Sequence, residues 1–250
     1  MRKILAFTLA ETLIVMGIIG IVSALTLPNL NSSTGEKEKI ARVTKIYSNL
    51  NDAYGRAVAV YGPVDEWFTN DANASAQLTR FGDRMTEFMK VTKNCGTSTD
   101  QNCFSGGQNV VQFNGTKLNF QPDKLASCYK FILADGSSVY IQTQSKDVLD
   151  QDNFRVWVNI GGSSKAPIRG KNTFDYFVYL DKSLGVIFDE RLVSKVSGGE
   201  LGVLKDCLTY GYYCTAWIIK TGNMDYLKTD ANAKCPNGKV LDSTTNPSCK

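Results

Sequence analysis

From Phe7 to Leu27 the chain is a nearly unbroken apolar run in which Glu11 is the one charge. At about 1.5 Å per residue such a run makes a helix of roughly 30 Å, the thickness of a bilayer core. Further on, Ser33 and Glu36 have the spacing of a capping box and predict that a helix restarts there. Ile40, Val43, Tyr47, Leu50, Tyr54, Ala57 and Tyr61 then recur at steps of three and four, an apolar stripe along an amphipathic helix that stops at Gly62-Pro63. Leu78, Phe81, Met85, Phe88 and Met89 predict another helix over 75–92, with a stripe of core type. Beyond it strand signals dominate. Residues 109–113 and 117–120 read as a hairpin around Asn114-Gly115, and 127–133 and 138–143 as a second around Asp135-Gly136. Residues 154–160, 174–180 and 186–189 are further β runs. Helices followed by an antiparallel meander predict an α+β fold with helices on one face of a sheet.

A carboxylate inside an apolar helix costs about 2.5–3.5 kcal/mol at a membrane centre and less near an end. Glu11 therefore points to a partner for the acid. Arg2 and Lys3 precede the run, and residues 28–35 carry no charge. That bias places the N-terminus in the cytoplasm and the rest of the chain outside. Two readings follow from the residues alone: a plain signal anchor, or a secretory signal cleaved after Val22-Ser23-Ala24.

A third reading comes from resemblance. The segment Ala6-Phe7-Thr8-Leu9-Ala10-Glu11-Thr12-Leu13-Ile14-Val15 resembles the N-terminus of a type IV prepilin or type II secretion pseudopilin. The resemblance implies that a dedicated prepilin peptidase cuts between Ala6 and Phe7 and methylates the new amine of Phe7. The family usually has Gly where this chain has Ala6. Glu11 matches the family's glutamate at the fifth mature position, implying an assembly contact with the amine of a neighbouring subunit. Gly20 and Pro28 match positions where the family's helix bends, although Pro28 also suits the simple end of a span.

The implied organisation is a leader over 1–6, a transmembrane and filament-core helix over 7–28, an amphipathic stem over 29–62 and a globular head over 63–250. The implied fold is pilin-like, a long N-terminal helix packed on an antiparallel sheet. The implied location is the bacterial inner membrane, as a single-pass protein with its head outside, and then a pilus or pseudopilus. Partners would be copies of the chain, other pilin-like subunits, the peptidase, and the inner-membrane assembly platform with its ATPase.

All seven cysteines lie beyond the apolar run. Outside the cytoplasm such thiols oxidise. Local spacing suggests Cys95–Cys103, Cys207–Cys214 and Cys235–Cys249, leaving Cys128 unassigned; Cys128–Cys207 is a competing pair. Zinc is disfavoured, because no histidine and no C-x-x-C pair is present. Asp147, Asp150, Asp152 and Asn153 offer oxygen donors suited to calcium, but no glycine follows at the turn position, so solvated acids between two strands are the plainer reading. No other metal or cofactor is indicated.

The lack of histidine removes Ser-His-Asp and Cys-His catalysis. No P-loop is present. The net charge of +4, which loss of Arg2 and Lys3 would lower by two, is too small to argue for nucleic-acid binding. The leading expectation is thus a non-enzymatic structural subunit of a pilus or pseudopilus. The alternative is a secreted or membrane-anchored adhesive or binding protein with an ordinary signal sequence.

Overall fold

The computed structural model describes residues 9–68, 73–144, 153–179, 186–187 and 199–250. It divides into two compact units, residues 1–39 and 40–250. Helix α1 (Leu9–Tyr61) supplies chain to both. In the first unit the apolar side chains from Leu9 to Val22 are exposed, and Thr12 donates back to the Leu9 carbonyl at 2.9 Å. The helix continues across Pro28 and across Ser33 to Glu36, so neither a break nor a restart occurs there.

The second unit is the folded domain. Helix α1 here buries Val43, Ile46, Leu50, Ala53 and Ala57, while Tyr47, Tyr54 and Tyr61 flank the same core. A short 3-10 turn (Val64–Phe68) leads to helix α2 (Ala74–Glu87), which is capped by Asn73 accepting the Ala76 N–H at 2.9 Å. The predicted helix over 75–92 stops earlier than expected. Phe88 closes it by donating to Met85, and strand β1 (Val91–Gly96) follows at once.

Strands β2 (Tyr129–Leu133), β3 (Ser138–Gln144), β4 (Asn153–Asn159), β5 (Thr173–Tyr179) and β6 (Val186–Ile187) complete an antiparallel sheet in chain order. Helices α3 (Gly199–Tyr210) and α4 (Cys214–Thr221) come after it. Alternation along the strands divides the sheet into two faces. Phe131, Val139, Ile141, Val156, Val158, Phe174 and Tyr176 belong to the main core shared with α1 and α2. Tyr176 reaches far enough to donate to the Val43 carbonyl at 3.0 Å. Cys128, Tyr140 and Trp157 belong to a smaller cluster with Phe104.

The α+β class stands, but the pilin-like form of it is corrected. Among the described residues no helix is long and apolar enough to cross a membrane. The exposed apolar side chains described in the first unit run from Leu9 to Val22, about 21 Å of helix against a bilayer core of about 30 Å. Side chains from 23 to 34 lie outside the described residues. The finding overturns the reading of 7–28 as a transmembrane, filament-core helix. With it go the resemblance to pilins and pseudopilins as a guide to this chain, the single-pass inner-membrane location and the role of filament subunit. The partnerships built on that role go too: pilin-like subunits, prepilin peptidase, assembly platform and ATPase.

Candidate functional site

Ala6 and Phe7 lie outside the described residues, as do Asp147, Asp150 and Asp152 of the acidic cluster. Glu11 is exposed in the first turn of α1, and Gly20 is exposed further along it with open space around its Cα. Pro28 is helical. The structure joins Cys95 to Cys103, Cys207 to Cys214, and Cys235 to Cys249, and buries Cys128 as a free thiol. Among the described residues no group of three or more Cys, Asp or Glu is placed to hold a metal ion.

A different site forms on the sheet face turned away from α1. Strand β4 sends Phe154, Val156 and Val158 to the main core, which puts Arg155 and Trp157 on the opposite face. Register sets Arg155 across from Gln142 on β3 and Phe177 on β5, and Trp157 across from Tyr140 and Asp175. Arg155 reaches diagonally to Asp175, with Nη2 to Oδ2 at 2.5 Å. Asp175 is almost completely buried, so the pair is charge-assisted and poorly screened. Burial works against the charge on Arg155, but the Asp175 carboxylate outweighs it and raises the guanidinium's pKa.

Arg169 comes from the long connection between β4 and β5. Its backbone N–H donates to Val111 at 2.9 Å, which pins the connection to the segment before Asn114. The chain leaving α3 passes directly over it. A Cβ on Gly211 would lie 2.4 Å from the Arg169 Cβ and 2.6 Å from its carbonyl carbon. Gly211 also has φ +78°, so glycine is required there on both counts. The Cys207–Cys214 bridge ties the end of α3 to the start of α4 and holds this turn in place. Tyr212 is thereby set against both arginines and accepts from Arg169 Nη1 at 2.8 Å.

The two guanidiniums share aromatic neighbours. The Arg155 carbon lies 4.6 Å from the Trp157 centroid and 4.3 Å from that of Tyr212. The corresponding distances for Arg169 are 4.5 and 4.9 Å. Such stacking favours cations that have left bulk water. Both Nε atoms are buried and have no hydrogen-bond partner among the described residues. Above the pair opens a cavity of about 240 Å³ lined by Phe120, Gln142, Thr143 and Tyr212 as well as Arg155, Arg169 and Trp157. Among the described residues none that lines it is acidic, and Asp175 is not in the wall. Asp175 neutralises one guanidinium, and among the described residues Arg169 has no carboxylate partner. The described residues therefore give the cavity one net positive charge between aromatic walls.

Comparison with protein families, with characterised proteins and with solved structures finds no match. The site must accordingly be read from its own chemistry.

A sequence signal for this site existed. Arg155 and Asp175 each interrupt an otherwise apolar strand at a position of the same parity, a pattern suggesting a cross-strand ion pair. Arg169 and Tyr212 carry no comparable signal, because only the folded connection brings them to β4.

Proposed function

We propose that this chain is a binding protein of an oxidising compartment, secreted or held at a membrane, and that the cavity over Arg155 and Arg169 takes an anionic group of its ligand. The observation that carries the reading is the Arg169 guanidinium, without a carboxylate partner among the described residues, at an open, aromatic-walled cavity. A buried cation without a counter-ion is costly, and a bound anion would offset that cost. The three disulfides agree with the compartment, since such bonds are rare where thiols are kept reduced. The activity proposed is recognition without catalysis: the lining groups are cationic, amide, hydroxyl and aromatic, suited to holding an anion.

Calorimetric titration of the oxidised full chain with acetate and with inorganic phosphate tests the reading. Binding of either, weakened by added salt and lost in Arg169→Gln, supports it. Heat of dilution alone for both anions, from protein that melts cooperatively, would sink it.

A further inference from the structure

We infer that Asn114 is a site of spontaneous modification: it deamidates through its bond to Gly115, while Asn237, in the chain's other Asn-Gly pair, is kept intact by the Cys235–Cys249 bridge. The reacting group is the side-chain amide and the co-reactant is water.

Two residues supply the chemistry. The Gly115 backbone nitrogen gives its proton to hydroxide and attacks Cγ of Asn114. An N–Cγ bond forms, the Cγ–Nδ2 bond breaks, and ammonia leaves with a proton from solvent. Water then opens the five-membered imide at either carbonyl, to aspartate or to isoaspartate. Nothing is oxidised or reduced. Glycine obstructs the attack least, because it has no Cβ and lets other atoms approach its backbone closely.

The two Asn-Gly pairs and the Asp135-Gly136 pair all form the same turn. The glycine N–H donates three residues back: Gly115 to Gln112 at 3.0 Å, Gly238 to Cys235 at 2.9 Å and Gly136 to Leu133 at 3.0 Å. The side-chain oxygen accepts from the residue after the glycine: from Thr116 at 3.0 Å, Lys239 at 3.1 Å and Ser137 at 2.9 Å. The attacking nitrogen is tied to a carbonyl while the turn is closed, so the reaction waits for the tip to open. What separates the two asparagines is the cost of that opening.

At Asn237 three ties resist it. Nδ2, the leaving group, donates to the Cys249 carbonyl at 2.6 Å. The disulfide to Cys235 holds Cys249 in place across the turn. Pro236, just before Asn237, fixes its own φ near the value the turn needs. Asn114 has none of the three. Its Nδ2 has no hydrogen-bond partner among the described residues, no disulfide joins the arms of its turn, and Phe113 stands where the other turn has proline. Residues 114–117 are all exposed, so water reaches the tip.

The products differ in their fit. Asp135 already occupies this turn position as an aspartate, so aspartate at 114 keeps the turn. Isoaspartate adds a carbon to the main chain and breaks the spacing at which Gln112 donates to Thr116.

The test is peptide mapping by mass spectrometry of the oxidised full chain, kept at mildly alkaline pH in heavy-oxygen water. Converted asparagine is read as the loss of ammonia and the gain of one heavy oxygen. Asn114 should convert at least about fivefold faster than Asn237, the factor to which a hydrogen bond of about 1 kcal/mol corresponds. Paired Cys235→Ser and Cys249→Ser substitutions should speed Asn237 by at least about the same factor and leave Asn114 unchanged. If that variant does not fold, Pro236→Ala in the disulfide-bonded chain decides instead, and should speed Asn237 alone. The reduced chain in urea should convert both asparagines at comparable rates. Equal rates in the native protein, or a faster Asn237, overturn the inference. So does an Asn114 that stays intact in the native protein while the unfolded chain converts it. An Asn237 rate unmoved in the folded variant overturns the protection assigned to the bridge.

Discussion

Phe104 donates its backbone N–H to the carboxylate of Asp123, nineteen residues along the chain, at 2.7 Å. Asp123 also accepts from the N–H groups of Cys103, Ser105 and Gly107 and from the Ser105 hydroxyl. One buried side chain thus organises the loop that follows the Cys95–Cys103 bridge and sets Phe104 edge-on to Tyr140, 4.6 Å between centroids. Burial alone would raise the Asp123 carboxyl, but these donors together hold it below its ordinary value.

The sign of the resulting pH dependence follows. The folded pKa lies below the reference value of 3.8, so the carboxylate's contribution is complete above that value and is lost as the pH falls through the folded one. Asp123→Ala leaves several buried N–H donors unmet and should cost at least about 3 kcal/mol. Urea melts at pH 7 and at stepwise lower pH check both points: the variant should be weaker at pH 7, and its deficit should shrink in acid. An equal deficit at every pH would contradict the role of the charge.

Asp175 sets the charge of the cavity through Arg155. Asp175→Asn keeps the shape and removes the counter-ion. Breaking a buried pair on one side costs about 3–5 kcal/mol, and the amide should recover part of that. The net charge that the described residues turn to the cavity rises from one to two, so phosphate binding should strengthen relative to acetate. A titration of the folded variant with both anions reads the ratio directly.

The oxidised chain should present a single thiol, and only after unfolding. Cys128 is fully buried on the sheet side facing Phe104, and burial pushes its thiol up to about 11 although Lys130 pulls the other way. An inert thiol results, since the thiolate is the reactive form. Intact-mass analysis after iodoacetamide should show no adduct on native protein and one on denatured protein. The Cys235–Cys249 bridge closes the C-terminal loop at a separation of 14 residues, and Asp225 holds its far end by accepting the Cys249 N–H at 2.8 Å. Its removal by paired Ser substitutions should cost about 3 kcal/mol in the loop-entropy picture.

Local signals in the sequence were legible where one short stretch settles the geometry. Asp135-Gly136 makes the β2–β3 turn, with Gly136 at φ +82° and Leu133 donating to Ser137 at 2.9 Å. The Asn114-Gly115 turn also forms, through Gln112 donating to Thr116 at 2.9 Å, and its arms are joined by Leu118 donating to Val110 at 2.9 Å and Val110 donating to Phe120 at 3.0 Å, without forming regular strands. Val111 is diverted to Ile168, a partner that no local pattern could reveal. Helices α3 and α4 are not among the elements that the sequence patterns predicted. The apolar run before Pro28 misled most, because it matched a membrane-segment pattern that the described structure does not carry. The cavity was illegible for a simpler reason. Arg155, Arg169 and Tyr212 are drawn together by the sheet register, a crossing over Gly211 and a disulfide, none of which is a property of one window of sequence.

Two glycines in helices should respond oppositely to alanine. Gly82 lies in α2 over the ring of Tyr129, where a Cβ would sit 2.5 Å from ring carbons. The ring cannot slide away, because the Tyr129 hydroxyl donates to Asp83 at 2.6 Å and accepts from Asn94 at 2.7 Å. Alanine gains about 1 kcal/mol of helix propensity, but overpacking of about 1–3 kcal/mol or more outweighs it. Gly82→Ala should therefore destabilise the domain. Gly55 is exposed in α1 with nothing within 4 Å of the added carbon. There only the propensity term acts, and Gly55→Ala should stabilise by about 0.5–1 kcal/mol. Thermal melts of the two variants should move in opposite directions. Stabilisation by Gly82→Ala would mean that Tyr129 has another place to go, and that its bonds to Asp83 and Asn94 do not fix the ring.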